Sequence, residues 1–234
     1  MSILMKTILK LAGKPDFKID KKIGLKYILA ECIRYGMMML RGKFFSICYR
    51  PINNSVFIGK NVKVREKRFL QIGEKTKIHD KVYIDALSTD GVIIGNNVVL
   101  GRNTRIECTG SLEKIGKGLS IGDRSTFGND CYFGSAGGIK IGSDVIAGQY
   151  IRFHSENHNY SNLKVLIREQ GVTHKGIIIG NNCWIGSGAV FLDGAELGDG
   201  CVVAANAVVT RRFDANSVIG GVPAIIIKKR GIKV

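Results

Sequence analysis

Across residues 177–209 a large apolar side chain recurs at every sixth position: Ile179, Ile185, Phe191, Leu197, Val203 and Val209. Two positions before each stands a smaller or aliphatic residue, in order Ile177, Cys183, Ala189, Ala195, Cys201 and Ala207. A half-buried strand alternates with period two, and an amphipathic helix repeats near 3.6. A period of six fits neither. It predicts short straight segments, each ending in a turn, wound into a solenoid whose hexad residues point inward. Gly follows the hexad residue at Gly180, Gly186 and Gly198, which predicts a corner where a Cβ would restrict the backbone.

The pattern extends back to about Val56. Inward residues follow in threes: Ile72, Ile78, Ile84; Ile94, Leu100, Ile106; Ile121, Phe127, Phe133; Ile141, Ala147, Phe153. Three hexads per coil predict a triangular prism. An apolar–Gly pair opens each coil at Ile58, Ile72, Ile94, Ile121, Ile141, Ile179 and Leu197, and the short interval from Ile58 to Ile72 reads as an incomplete first coil. Longer intervals predict corner loops at 87–90, at 109–118 and, longest, at 154–176. The expected organisation is a helical, basic segment over 1–54, an all-β solenoid over 55–214 and a basic tail over 215–234.

Residues 23–49 contain few turn formers and many good helix formers. At about 100° per residue, Lys26, Arg34 and Arg41 fall within an arc of roughly 80°, leaving a broad apolar remainder. That helix could pack its apolar face on the open end of the solenoid, as terminal coils require. That role is favoured because every solenoid needs a cap; the alternative, not exclusive of it, is a basic amphipathic helix resting on an anionic membrane surface.

Charge sharpens the second option. The net charge is +16, and residues 1–65 hold fourteen Lys and Arg against Asp16, Asp20 and Glu31, so 14 − 3 gives +11 there. The basic residues are not interleaved with stacking aromatics, which argues against nucleic acid. Six cysteines form no CxxC pair; Cys131, Cys183 and Cys201 fall in the small inward slot, as reduced thiols of a cytoplasmic protein would. There is no signal-peptide pattern and no apolar run long enough to span a bilayer.

The apolar–Gly hexads, the excursion after FHSENHNY, and the run CWIGSGAVFLDGAELGDGCVVAANAVVTRR…GGVPAIIIKK resemble the hexapeptide-repeat acyltransferases, within them the sugar and polysaccharide O-acetyltransferase branch. The resemblance covers about residues 55–229. It implies a left-handed parallel β-helix, a homotrimer, acetyl-CoA as donor and a sugar or glycan acceptor. The handedness comes from the resemblance alone, because general crossover rules favour the right hand.

Acyl transfer to a sugar hydroxyl needs a general base, and an imidazole titrates in the useful range. The family's base follows the inward residue that precedes the long loop. His158 matches that place best, His154 directly after Phe153 is the second candidate, and Glu156 would orient the ring or touch the sugar. On the donor side the resemblance carries Trp184 and Ser187 of WIGS, with the Ser187 region as an oxyanion donor. It carries Ala205 beside the pantetheine, although AANAVVT replaces the family's GAGSVVT. Thr210 and Arg211 follow, and Lys228 and Lys229 would meet the CoA phosphates. No metal is expected: His154 and His158 are four apart in a segment that is not helical, so the spacing has no ligand meaning. No Ser or Cys nucleophile with a base partner stands out, which favours direct transfer over an acyl-enzyme. The alternatives are an acetyltransferase of the same fold acting on an amino sugar or serine, and a catalytically silent binding module.

Overall fold

The computed structural model describes residues 20, 22–48, 55–111 and 113–231. The chain forms a left-handed parallel β-helix of triangular section preceded by one long helix, α1 (Leu25–Cys48). Face 1 holds nine strands, from Phe57–Ile58 to Ile225–Lys229. Face 2 holds seven, from Lys63–Arg65 to Val208–Val209, and face 3 seven, from Leu70–Ile72 to Arg212–Phe213. Every hexad residue named above from Ile72 to Val209 is buried in a single continuous core.

Ile58 belongs to a different face from the other residues that open apolar–Gly pairs. It pairs with Ile78 on face 1, whereas Ile72 pairs with Ile94 on face 3. The first coil therefore begins at another corner, and the short interval from Ile58 to Ile72 is two sides of the prism.

The glycines that follow the inward residue serve close approach. A Cβ on Gly180 would lie 2.5 Å from Asp199 Oδ1 and 2.6 Å from Asp199 N; on Gly198 it would lie 2.5 Å from Ala215 N. The next coil passes where that side chain would be. Backbone freedom is needed two residues later, where Asn182 (φ 54°), Gly188 (φ 75°) and Asn206 (φ 57°) occupy the left-handed region that Asn and Gly tolerate best. Between these positions an Asp or Asn ladder ties the corners: Asn181 N donates to Asp199 Oδ1 at 2.6 Å and Ser143 N to Asn181 Oδ1 at 2.8 Å.

Both ends of face 1 are covered. At the end of the chain Ile225–Lys229 turns back antiparallel to Ser217–Gly220. At the start α1 packs on Phe57–Ile58 through one side of its broad apolar remainder, with Met38 and Phe45 against the solenoid and Arg41 drawn in beside them. Arg41 Nε donates to Ile58 O at 2.8 Å, Arg34 pairs with Glu31, Met38 is buried, and Tyr35 meets Phe57 edge-on. The unpaired carbonyl of an edge strand recruits Arg41, while Lys26 of the same arc stays exposed. The apolar side chains Leu25, Leu29, Ile33, Met37, Leu40 and Phe44 are exposed.

Candidate active site

Face 2 builds the site. Its inward residues Phe133, Phe153 and Phe191 stack with ring centroids 4.9 Å apart and planes within 16°. Aromatic rings at the rung spacing make a stiff backing. The residue after each inward one points outward, and in register these form the column Arg65, Asp85, Glu107, Gly134, His154, Leu192.

The chain leaves the prism after His154 under tight control. Buried Ser155 donates through Oγ to Gly134 O (2.8 Å) and accepts from Gly137 N (2.9 Å). Asn157–His158 then pairs antiparallel with Val172–Thr173, so the long loop rises as a two-stranded ribbon. On return the buried Asp193 carboxylate accepts from the backbone N–H groups of Lys175 and Gly176 at 2.7–3.0 Å. Across the ribbon's foot His174 Nε2 lies 2.6 Å from Glu156 Oε2.

A cavity of about 540 Å³ opens between the outward column, the 109–110 corner and the foot of the ribbon. His154, Glu156 and His158 all line it, together with Tyr132, Glu107 and Asp85. His154 is half-buried and its ring lies 5.5 Å from that of Tyr132. Burial, with Arg152 adding to it, holds the His154 pKa below the ordinary imidazole value, so its neutral form is favoured near neutral pH. His158 stands exposed on the ribbon. The Tyr132 hydroxyl donates to Glu107 Oε2 at 3.1 Å, and burial followed by the Glu107 charge pushes its pKa up.

The seven residues expected on the donor side lie elsewhere in the chain. Trp184 and Ser187 sit exposed at the corner from face 1 to face 2, with Ala205 one coil further on. Ser187 Oγ accepts from Gln149 N at 3.3 Å. Thr210 and Arg211 follow the last strand of face 2, Arg211 over the Phe213 ring. Lys228 is exposed, while Lys229 Nζ donates to Ala215 O and Ser217 Oγ, which pins the last strand. None of the seven lines the cavity, so one chain brings His154, Glu156 and His158 together and leaves the donor set apart. Among the described residues no cluster of three or more His, Cys, Asp or Glu could hold a metal ion.

Asp85, Glu107, Tyr132, His174 and Asp193 escaped the sequence reading. The first two carried a usable signal, since each directly follows an inward residue of face 2, as His154 does. His174 and Asp193 carried none, because their partners depend on how the ribbon folds back.

The hexapeptide repeat of bacterial transferases matches residues 176–211, and the hexapeptide repeat of succinyl-transferases matches residues 118–148. A probable acetyltransferase of Mycobacterium tuberculosis is 27% identical over 161 residues, 62% of this chain and 54% of that protein. The chain thus spans about half the length of that relative. A putative lipopolysaccharide biosynthesis O-acetyl transferase of Escherichia coli is 29% identical over 152 residues, 61% of this chain and 74% of that protein. Among solved structures, AntD, an N-acyltransferase from Bacillus cereus in complex with dTDP and coenzyme A, superposes with a TM-score of 0.52 at 17% identity, covering 80% of this chain and 88% of its own. With the hexad core and the three-faced coil, the chain carries the hexapeptide repeat of bacterial transferases over residues 118–148 and 176–211.

Proposed function

We propose that the protein is an O-acetyltransferase that moves the acetyl group of acetyl-CoA to a sugar hydroxyl during assembly of a polysaccharide or lipopolysaccharide. The observation that carries this reading is the convergence of His154, Glu156 and His158 on one cavity at the foot of the ribbon. The name of the Escherichia coli relative points to the same reaction class. His158 takes the proton of the attacking hydroxyl, its oxygen forms the new ester bond, and the carbon–sulfur bond breaks. The thiolate then recovers the proton from the imidazolium, so no net proton is consumed. Glu156 holds the ribbon through His174, and His154 keeps a neutral imidazole at the cavity wall. Direct transfer is favoured because, among the described residues, the Ser and Thr hydroxyls lining the cavity, Ser155 and Thr109, bond only to backbone groups and have no base partner.

Three chains would complete each site. The exposed corner of Trp184, Ser187 and Ala205 would then meet the cavity of a neighbour, with Lys228 offering a cation to the CoA phosphates and the Ser187 N–H stabilising the oxyanion. The ribbon tip supports a homotrimer: Tyr160, Leu163, Leu166 and Ile167 are exposed apolar residues, Leu163 at 97%. The proposed setting is the cytoplasmic leaflet of a membrane, reached through α1; among the described residues no helix is long and apolar enough to cross a bilayer.

The deciding experiment is acetyl-CoA turnover against a panel of glycans and lipid-linked sugars, read as an acetyl mass shift on the acceptor. Thiol release without any acetylated glycan, or acetylation confined to amines or serine, would overturn the reading.

A further inference from the structure

The cavity does not end at the histidines. It continues down face 2 across the register Arg65, Asp85, Glu107, Gly134 and His154. That is four rung steps, about 19 Å at the usual strand spacing. Along it one constellation occurs twice. Tyr83 OH donates to Asp85 Oδ2 (3.4 Å), which also pairs with Arg65 (3.1 Å). Tyr132 OH donates to Glu107 Oε2 (3.1 Å), whose other oxygen pairs with Arg105. Each unit sets an aromatic ring beside a carboxylate whose orientation is fixed from both sides. Gly134 is what lets the second unit reach across a coil, because a Cβ there would lie 3.0 Å from Tyr132 Cε1 and 3.3 Å from its hydroxyl.

We infer that this trough is an extended acceptor site that takes several consecutive units of a neutral glycan, with the acetylated unit at the His154–His158 end; the inference rests on the acetyl-transfer reading above. Each carboxylate keeps lone pairs beyond those used by Tyr and Arg, and a fixed carboxylate suits neighbouring hydroxyls of a pyranose. The Tyr83 ring already carries the Arg105 guanidinium 4.7 Å from its centroid, so recognition falls to the carboxylates. A nucleotide-linked or otherwise phosphorylated sugar fits poorly. Arg65 of the lining is already paired with Asp85 and the adjacent Arg105 with Glu107, and Asp85, Glu107 and Glu156 would repel a phosphate. The volume agrees, for about 540 Å³ lies in the range of sites that enclose ligands well above one sugar in size.

The test uses the full chain with acetyl-CoA and neutral glycans of one to five units, alongside nucleotide sugars and acidic glycans, read by acetyl mass shift and kcat/KM. The expected result is a kcat/KM that rises with length over three or four units and then levels. Asp85→Asn and Glu107→Gln should each lower kcat/KM on the long acceptor about tenfold more than on the single sugar, the scale of one lost hydrogen bond to a charged group. Thermal transitions check that both variants fold, and Tyr83→Phe, which removes only a hydroxyl, serves if one does not. Preference for a nucleotide sugar, no gain with length, or equal losses on long and short acceptors would overturn the extended site while leaving acetyl transfer standing. Failure to acetylate any glycan would overturn the underlying reading, and the trough with it.

Discussion

Glu156 and His174 meet at 2.6 Å across the foot of the ribbon, one just before its outgoing strand and the other just after its returning strand. They are eighteen residues apart in sequence, and their contact fixes where His158, two residues after Glu156, stands over the cavity. A ribbon clamped at its base can still flex at its tip, so the latch bears on the position of His158 more than on the fold. Glu156→Gln and His174→Ala are expected to lower kcat by about tenfold or more, the scale of sub-ångström misplacement of a reacting group, with acetyl-CoA KM nearly unchanged. His174→Gln, which restores a hydrogen bond, should recover part of the loss. Hydrogen exchange confined to 157–173 should rise in the same order.

The base is tested separately. His158→Ala is expected to reduce kcat on the order of 10²- to 10⁴-fold with donor affinity retained. His154→Ala should cost less. A loss confined to His154→Ala would move the base to the imidazole on the prism wall.

His154 also links stability to pH. Its folded pKa lies below its unfolded value because burial disfavours the cation, and His79 is shifted down for the same main reason. Between the folded and unfolded values the unfolded chain binds more protons, so stability rises with pH there. The contribution is fully present above the unfolded value of about 6.5 and is lost as pH falls through it toward the folded pKa. Thermal midpoints should therefore drop on acidification below about pH 6.5, and His79→Gln with His154→Gln should flatten that slope. An unchanged slope would mean that other groups carry it.

The hexads made the prism legible because an inward apolar residue, a following Gly and a left-handed Asn or Gly recur with one phase. What the period could not show was why each glycine is there. Gly180 and Gly198 are excluded from having a Cβ by the next coil, while Asn182 and Gly188 supply the left-handed turn. Gly180→Ala and Gly198→Ala should each cost about 2 kcal/mol or more, since the backbone they meet cannot move aside. Asn182→Gly should be nearly neutral. Thermal or denaturant unfolding would read the difference. In the site, His154, Glu156 and His158 were legible from one local string. The outward column was readable in part, since Asp85 and Glu107 follow inward residues as His154 does, but its Tyr and Arg partners and the ribbon that closes it were not. In helix α1 the sequence marked the apolar remainder but not the part of Arg41, because the edge-strand carbonyl of Ile58 that it caps lies seventeen residues away in sequence.

That packing changes the membrane proposal. With Arg34 paired to Glu31 and Arg41 to Ile58, the arc turned outward carries Leu25, Leu29, Ile33, Met37, Leu40 and Phe44, with exposed Lys26 and Lys43 at the same azimuths near its two ends and Lys22 just before the helix. At about 100° per residue those six apolar side chains lie within roughly 120°, the width of an interfacial helix face. An anionic bilayer matches both features, since it accepts apolar side chains at the headgroup boundary and each nearby Lys adds about 1 kcal/mol. A trimer would present three such helices and bind with avidity. The expected outcome is co-sedimentation with vesicles containing phosphatidylserine, weakened by salt and abolished by Leu29→Ser, Ile33→Ser and Phe44→Ser together. Substituting Lys26 and Lys43 by Glu should weaken it at low salt. Changing Arg34 and Arg41 instead should disturb the docking of α1 on Phe57–Ile58 and lower thermal stability. Equal binding to neutral and anionic vesicles, or a stripe triple variant that still sediments, would leave these side chains without a membrane role, and a change in oligomeric mass in that variant would assign the stripe to contacts between subunits.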